Sequence, residues 1–233
     1  MNTKVPNIDY NEAIKNSGLF RKLGFVLFAV MVYRLGTYVP VPGINSAVLE
    51  QIFAQHQNGI LGIFDMFSGG ALMRMSVFTL GVMPYISASI IMTLMQSSFD
   101  NLKELKNQGA NGRKKIQQYT RYFTVLLAIF QSYGISNGIL NLSDTINPTL
   151  GSTAFFQISA IITMTSGTIF LMWLGEQITE HGFGSGISII IFAGIVANLP
   201  FAIFNTFELG RTGALSAIAI IFIIFLPLTL IVV

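Results

Sequence analysis

Residue types that could carry chemistry are few in this chain, and they gather in one place. A glycine-rich run, Gly182-Phe183-Gly184-Ser185-Gly186, follows Glu176, Glu180 and His181. Glycine-rich loops cradle phosphates when a strand precedes them and a lysine follows in register, and this run has neither. A short hinge between two apolar segments accounts for it as well. The two acids and the histidine have the right types for metal binding or proton transfer. They lack a His-Glu-x-x-His spacing, and the other histidine, His56, falls in a connection on the opposite side of the expected topology. A solvated interfacial loop explains them without a metal. Cysteine is absent, which excludes a disulfide framework, a thiolate metal site and a cysteine nucleophile. Paired carboxylates and Ser/His/Asp sets are missing from the apolar segments, so hydrolysis and proton-coupled transport lack their usual groups. No enzymatic activity, cofactor or metal is expected.

The elements that would position these residues are membrane elements. The chain of 233 residues is 52% hydrophobic and 10% charged, with 20 Phe and 22 Gly, more apolar surface than a soluble domain can bury. Residues 62–73 form a half-length apolar stretch broken by Asp65 and by Ser68-Gly69-Gly70. As a helix it reaches about 18 Å against a hydrocarbon core of roughly 30 Å. Residues 75–95 carry no charge and are long enough for a full span. A half-length element feeding a full span predicts a re-entrant segment, which survives at membrane depth only inside protein or beside a water-filled cavity.

Residues 1–22 are polar and precede the first apolar run, 23–39. They fit a cytoplasmic segment better than a cleaved signal peptide. Arg34 lies inside that run, where it either snorkels to the interface or finds an interior partner. Further spans are expected at 119–139, 155–174 and 187–204, and the run 215–233 is a sixth. Ten of the thirteen Lys and Arg fall within residues 1–22 and 96–121, which makes both regions cytoplasmic and leaves the 40–74 connection outside. The cluster from Lys103 to Lys115 is a topology signal first, with a ribosome or anionic-lipid contact as the alternative. Thr163, Thr165, Ser166, Gly167 and Thr168 suit interhelical packing without a ligand. Val82 and Ile86, like Ile187 and Ile191, are four apart and share a helix face, ordinary spacing for lipid-facing or core positions.

Several dense strings go further. YRLGTYVPVPG (33–43), MFSGGAL (66–72), GVMPYISASII (81–91), GRKKI (112–116), FLMWLGEQITE (170–180) and GISIIIFAGI (186–195) closely resemble the bacterial SecY family, the channel subunits of the Sec translocon. The resemblance runs over essentially the whole chain.

It implies an all-α polytopic membrane protein in the bacterial plasma membrane, with its N-terminus cytoplasmic. Such a protein conducts unfolded polypeptides and releases nascent membrane helices sideways into lipid. Six transmembrane helices and a short re-entrant plug helix would form the first half of an inverted-repeat, ten-span channel. Residues 23–204 would be the five-span N-terminal half and 215–233 the first span of the second. The plug would comprise Gly62, Ile63, Phe64, Asp65, Met66, Phe67, Ser68, Gly69, Gly70, Ala71, Leu72 and Met73. Val82, Ile86, Ile187 and Ile191 would contribute to an apolar pore ring, with further members from the second half. Ser87, Ile90, Thr93 and Ile129 would belong to the lateral gate. Implied partners are SecE, SecG, SecA or a translating ribosome, signal sequences and nascent chains, with no direct nucleic-acid binding apart from a ribosome contact. A family member would continue past residue 233 into four more spans, so a non-conducting fragment or an assembly partner of a full-length channel is the alternative. A small-solute carrier would call for an acidic residue at mid-membrane, and no span supplies one.

Overall fold

The computed structural model describes residues 18–44, 49, 60–140 and 153–211, and all of its regular elements there are helices. In chain order they are α1 (Leu19–Gly36), α2 (Ile60–Ser68), α3 (Met83–Ser98), α4 (Asp100–Asn107), α5 (Ala110–Leu140), α6 (Thr153–His181) and α7 (Gly186–Arg211). Residues 1–17 of the expected polar segment 1–22, and the whole of the expected span 215–233, lie outside the described residues.

Two of these helices, α5 and α6, are long and apolar enough to cross a membrane by length and composition. Their packing shows why. On α5, Ile116, Thr120, Thr124, Ala128, Ser132 and Ser136 recur every fourth residue and are buried. Small and hydroxyl side chains let the backbones approach, and Thr120 and Thr124 return their hydroxyls to carbonyls one turn back. Ser132 and Thr165 meet across the α5–α6 interface at 3.4 Å. The opposite face of α5 exposes Tyr122, Leu126, Phe130 and Tyr133. α1 behaves alike, with Val26, Ala29 and Tyr33 buried while Leu27, Phe28 and Met31 stay outside. Helices that expose large apolar side chains and bury small or hydroxyl ones against each other fit a hydrocarbon surround.

Boundaries differ from expectation in three places. Residues 75–82, expected to begin a full span, are turns apart from a β-bridge at Ser76, and α3 starts only at Met83 with Pro84 in its first turn. Proline is favoured there because its missing N–H has no intrahelical partner to lose. Upstream, residues 75–77 are drawn into extended pairing with the end of the α1 loop: Val41 N–H donates to the Met75 carbonyl at 2.8 Å and Val77 N–H to Val39 at 2.9 Å. The half-length element is α2, which ends at Ser68, because Gly69 and Gly70 take positive φ of 67° and 84°. Finally, α6 runs through Glu176, Glu180 and His181, so these residues belong to its last turns and not to a loop.

The turn segment 71–82 joins the bundle. Ala71, Phe78 and Val82 enter a core with Val26, Tyr33, Leu171 and Ile190. Met75 and Leu80 enter a second core with Ala128, Phe156 and Met164. Phe78 stacks between Tyr33 and Phe170, at centroid distances of 6.0 and 5.8 Å.

Candidate functional site

Between α2, α3, α5 and α7 a cavity of about 510 Å³ opens. Its lining includes Phe67, Ser68 and Leu72 from the α2 region, Val82, Ile86 and Ser87 from the start of α3, Ile191 of α7, and Gln131, Gly134 and Ile135 of α5. Among the described residues, no charged side chain lines it. Three of the four expected ring residues, Val82, Ile86 and Ile191, therefore line one cavity. The fourth, Ile187, lies one turn from Ile191 and packs on the core that holds Val82. Ile86 and Ile191 are half-buried against that core as well, so the two i, i+4 pairs converge.

The expected gate residues separate. Ser87 faces the cavity. Thr93 lines a smaller, polar crevice of about 300 Å³ between α3 and α5, where its hydroxyl donates to the Ser89 carbonyl at 2.8 Å. Ile90 and Ile129 are exposed on the outer surfaces of α3 and α5.

The expected plug residues fall in two groups. In α2 itself, Met66 and Phe67 are exposed while Ser68 is buried. Nothing is described of the Ile63 and Phe64 side chains. Beyond the glycines, Ala71 and Leu72 are buried in the turn segment. The bend between the groups is closed locally. The Asp65 carboxylate accepts the Met73 N–H at 2.9 Å, its carbonyl accepts the Gly70 N–H at 3.0 Å, and the Ser68 hydroxyl accepts from Leu72 N–H at 3.2 Å. Burial pushes the Asp65 carboxyl above the usual carboxylate range, against the Met73 hydrogen bond and the nearby Arg74 charge.

Arg34 has an interior partner: its Nη1 donates to the Gly69 carbonyl at 3.0 Å. Tyr33, one residue earlier, donates its hydroxyl to the Ser68 carbonyl at 3.0 Å. Against them stands Gly194 of α7, where a β-carbon would lie 2.9 Å from the Phe67 carbonyl oxygen. Sequence reasoning missed Tyr33, Gly194 and Gln131. Gly194 lies three residues beyond Ile191, on the same helix face, and that spacing was the available signal.

Glu176 is held at 2.7 Å by Arg121 of α5, with Gln117 at 3.4 Å, which ties α5 to α6 rather than forming an acid/base pair with His181. Residues 182–185 make the short connection from α6 to α7, as a hinge reading expects.

A family model described as SecY matches residues 76–233. The chain is 49% identical over 221 residues to the protein translocase subunit SecY of Escherichia coli strain K12, covering 94% of this chain and 50% of that one. It is 50% identical over 212 residues to the same subunit of Pseudomonas aeruginosa, covering 90% and 47%. The chain thus spans about half the length of the curated relatives it matches. Among solved structures it resembles "The structure of a protein conducting channel" with a TM-score of 0.54 at 19% identity, covering 81% of this chain and 37% of that one. The same values hold for Sec61 in the canine ribosome-channel complex from the endoplasmic reticulum. At that identity the two structures show a shared fold alone. The family model and the identity across 94% of the chain together make this chain a member of the SecY family.

Proposed function

We propose that the chain supplies one half of a protein-conducting channel, in which Val82, Ile86, Ile187 and Ile191 form part of an apolar ring and residues 62–73 close it as a plug. One observation carries this reading: aliphatic side chains from α3 and α7 converge, beside a helix too short to span, on a cavity that no charged side chain lines among the described residues. A constriction that passes an unfolded chain yet blocks ions needs that chemistry. Aliphatic walls deform around a peptide and dewet when nothing fills them. Nine residues of helix extend only about 13 Å, so α2 can sit within such a path without crossing the membrane.

On this reading α3 and α5 form one wall of a lateral gate, to which Ser87, Ile90, Thr93 and Ile129 contribute. The chain is a transport protein of the bacterial inner membrane. Its N-terminus is cytoplasmic, supported by the charge asymmetry of residues 1–22 and 96–121. The proposed partners are SecE and SecG as companion subunits, SecA or a ribosome as the drive, and signal sequences and nascent chains as cargo.

Reconstitution tests it. Vesicles holding the chain together with a polypeptide for the remaining half of its relatives' length should protect a secretory precursor from protease when SecA and ATP are supplied. Vesicles with residues 1–233 alone should not, because the aqueous path lies between halves. Precursor protected by residues 1–233 alone would overturn the two-half account, and no protection with both halves would overturn the channel reading.

A further inference from the structure

The carbonyls of Ser68, the last residue of α2, and of Gly69, just past it, accept hydrogen bonds from α1. We infer, on the reading of residues 62–73 as a plug, that Tyr33 and Arg34 of α1 are the positioning residues that seat it against Gly194 of α7. The last four carbonyls of any helix have no partner within it, and the negative end of its dipole favours a cation. With nine residues, α2 has nearly half of its carbonyls in that position. At membrane depth each needs a protein partner. Tyr33 supplies one for Ser68 and Arg34 supplies one for Gly69, both at 3.0 Å.

The two clamp side chains are themselves held by ring contacts. The Tyr33 ring is buried and stacks on Phe78 of the turn segment. The Arg34 guanidinium lies 5.8 Å from the Tyr38 ring centroid, within cation–π range. Gly194 supplies the opposing surface: its own β-carbon would stand 2.9 Å from the Phe67 carbonyl and 3.2 Å from the Tyr33 hydroxyl, and a β-carbon at Gly69 would stand 3.0 Å from the Gly194 Cα. Backbone therefore rests on backbone at this point. Both clamp acceptors are main-chain carbonyls, so the clamp fixes where the chain lies without depending on the side chains of α2. Two hydrogen bonds at one end of a short helix make a hold that can be released and remade.

Hydrogen exchange on the complete channel in lipid nanodiscs reads this hold. Y33F removes one donor and keeps the ring stack, and R34Q removes the cation. Exchange across residues 62–70 should quicken roughly three- to tenfold in Y33F and further in Y33F/R34Q. Residues 160–171 of α6 should exchange at the original rate. R34K should protect 62–70 better than R34Q, because an ammonium can still donate to the Gly69 carbonyl. If the double variant does not fold, Y33F and the R34K against R34Q comparison decide by themselves. Unchanged exchange in 62–70, an equal rise in α6, or no advantage of R34K over R34Q would each overturn the clamp. Ion leak through vesicles of the same variants separates the two readings. Faster exchange without leak keeps the clamp and removes the plug role, whereas leak without faster exchange overturns the clamp.

Discussion

Residues 62–70 and 71–82 follow one another in sequence and border the same cavity, but they are held differently. The first stretch exposes Met66 and Phe67, and side-chain hydrogen bonds from α1 reach it at its C-terminal end. The second is buried nearly throughout, contributes to both hydrophobic cores and pairs its backbone with residues 39–41. Gly69 and Gly70, at positive φ, mark the boundary. The contrast separates two tasks that a reading from hydropathy merges. Residues 71–82 are a wedge that sets the spacing of α1, α5, α6 and α7, and residues 62–70 are the light element resting beside it. On the proposed function, Gly69 and Gly70 are the joint between the more exposed part of the plug and its buried end at Ala71 and Leu72.

The largest expected effect comes from attacking the wedge. A β-carbon at Gly167 of α6 would run into the Val77 carbonyl, which is backbone and cannot swing aside. Gly167→Leu should abolish the protease-resistant core in detergent, a loss of roughly 4 kcal/mol or more. Removing residues 62–70 should leave that core intact and lower its midpoint of unfolding by only a few degrees, about 1–2 kcal/mol. Equal damage from the two changes would erase the distinction between wedge and light element.

A smaller effect sharpens the comparison from the other side. Arg121 and Glu176 tie α5 to α6 at a half-exposed position, 44% and 17% accessible. Arg121→Gln should cost no more than about 1 kcal/mol, because solvent screens such a pair, and Gln117 remains near Glu176. A thermal shift in detergent comparable with that of Gly167→Leu would mean that electrostatics, not close backbone packing, holds the two long helices together.

Much of this was legible in the sequence because it depends on periodicity and charge. The apolar runs at 119–139, 155–174 and 187–204 fall within α5, α6 and α7. Of the α6 residues expected to pack between helices, Thr165, Gly167 and Thr168 are buried, with Thr165 against Ser132, whereas Ser166 is exposed and the Thr163 hydroxyl bonds back to the Ser159 carbonyl of its own helix. Ile86 and Ile191 could be paired only through the family resemblance, since i, i+4 spacing says which face a residue shares and nothing about what stands opposite. What remained illegible depended on long-range contacts. Residues 75–82 carry an uncharged, helix-compatible pattern, and pairing with residues 39–41 overrides it. Arg34 left two readings open because its partner is a backbone carbonyl 35 residues away, and no side-chain pattern records a carbonyl.

Resting ion conductance across vesicles containing the complete channel tests the central claim most directly. Ile86→Ser and Ile191→Ser put a hydroxyl on the wall of the cavity, while Phe192→Ser changes a residue 65% exposed on the outer side of α7. A hydroxyl in an apolar constriction lowers the barrier to wetting. The two isoleucine variants should leak ions steadily, and Phe192→Ser should stay as tight as the parent. Unchanged conductance in both isoleucine variants, or an equal leak from Phe192→Ser, would contradict an aliphatic ring at this site.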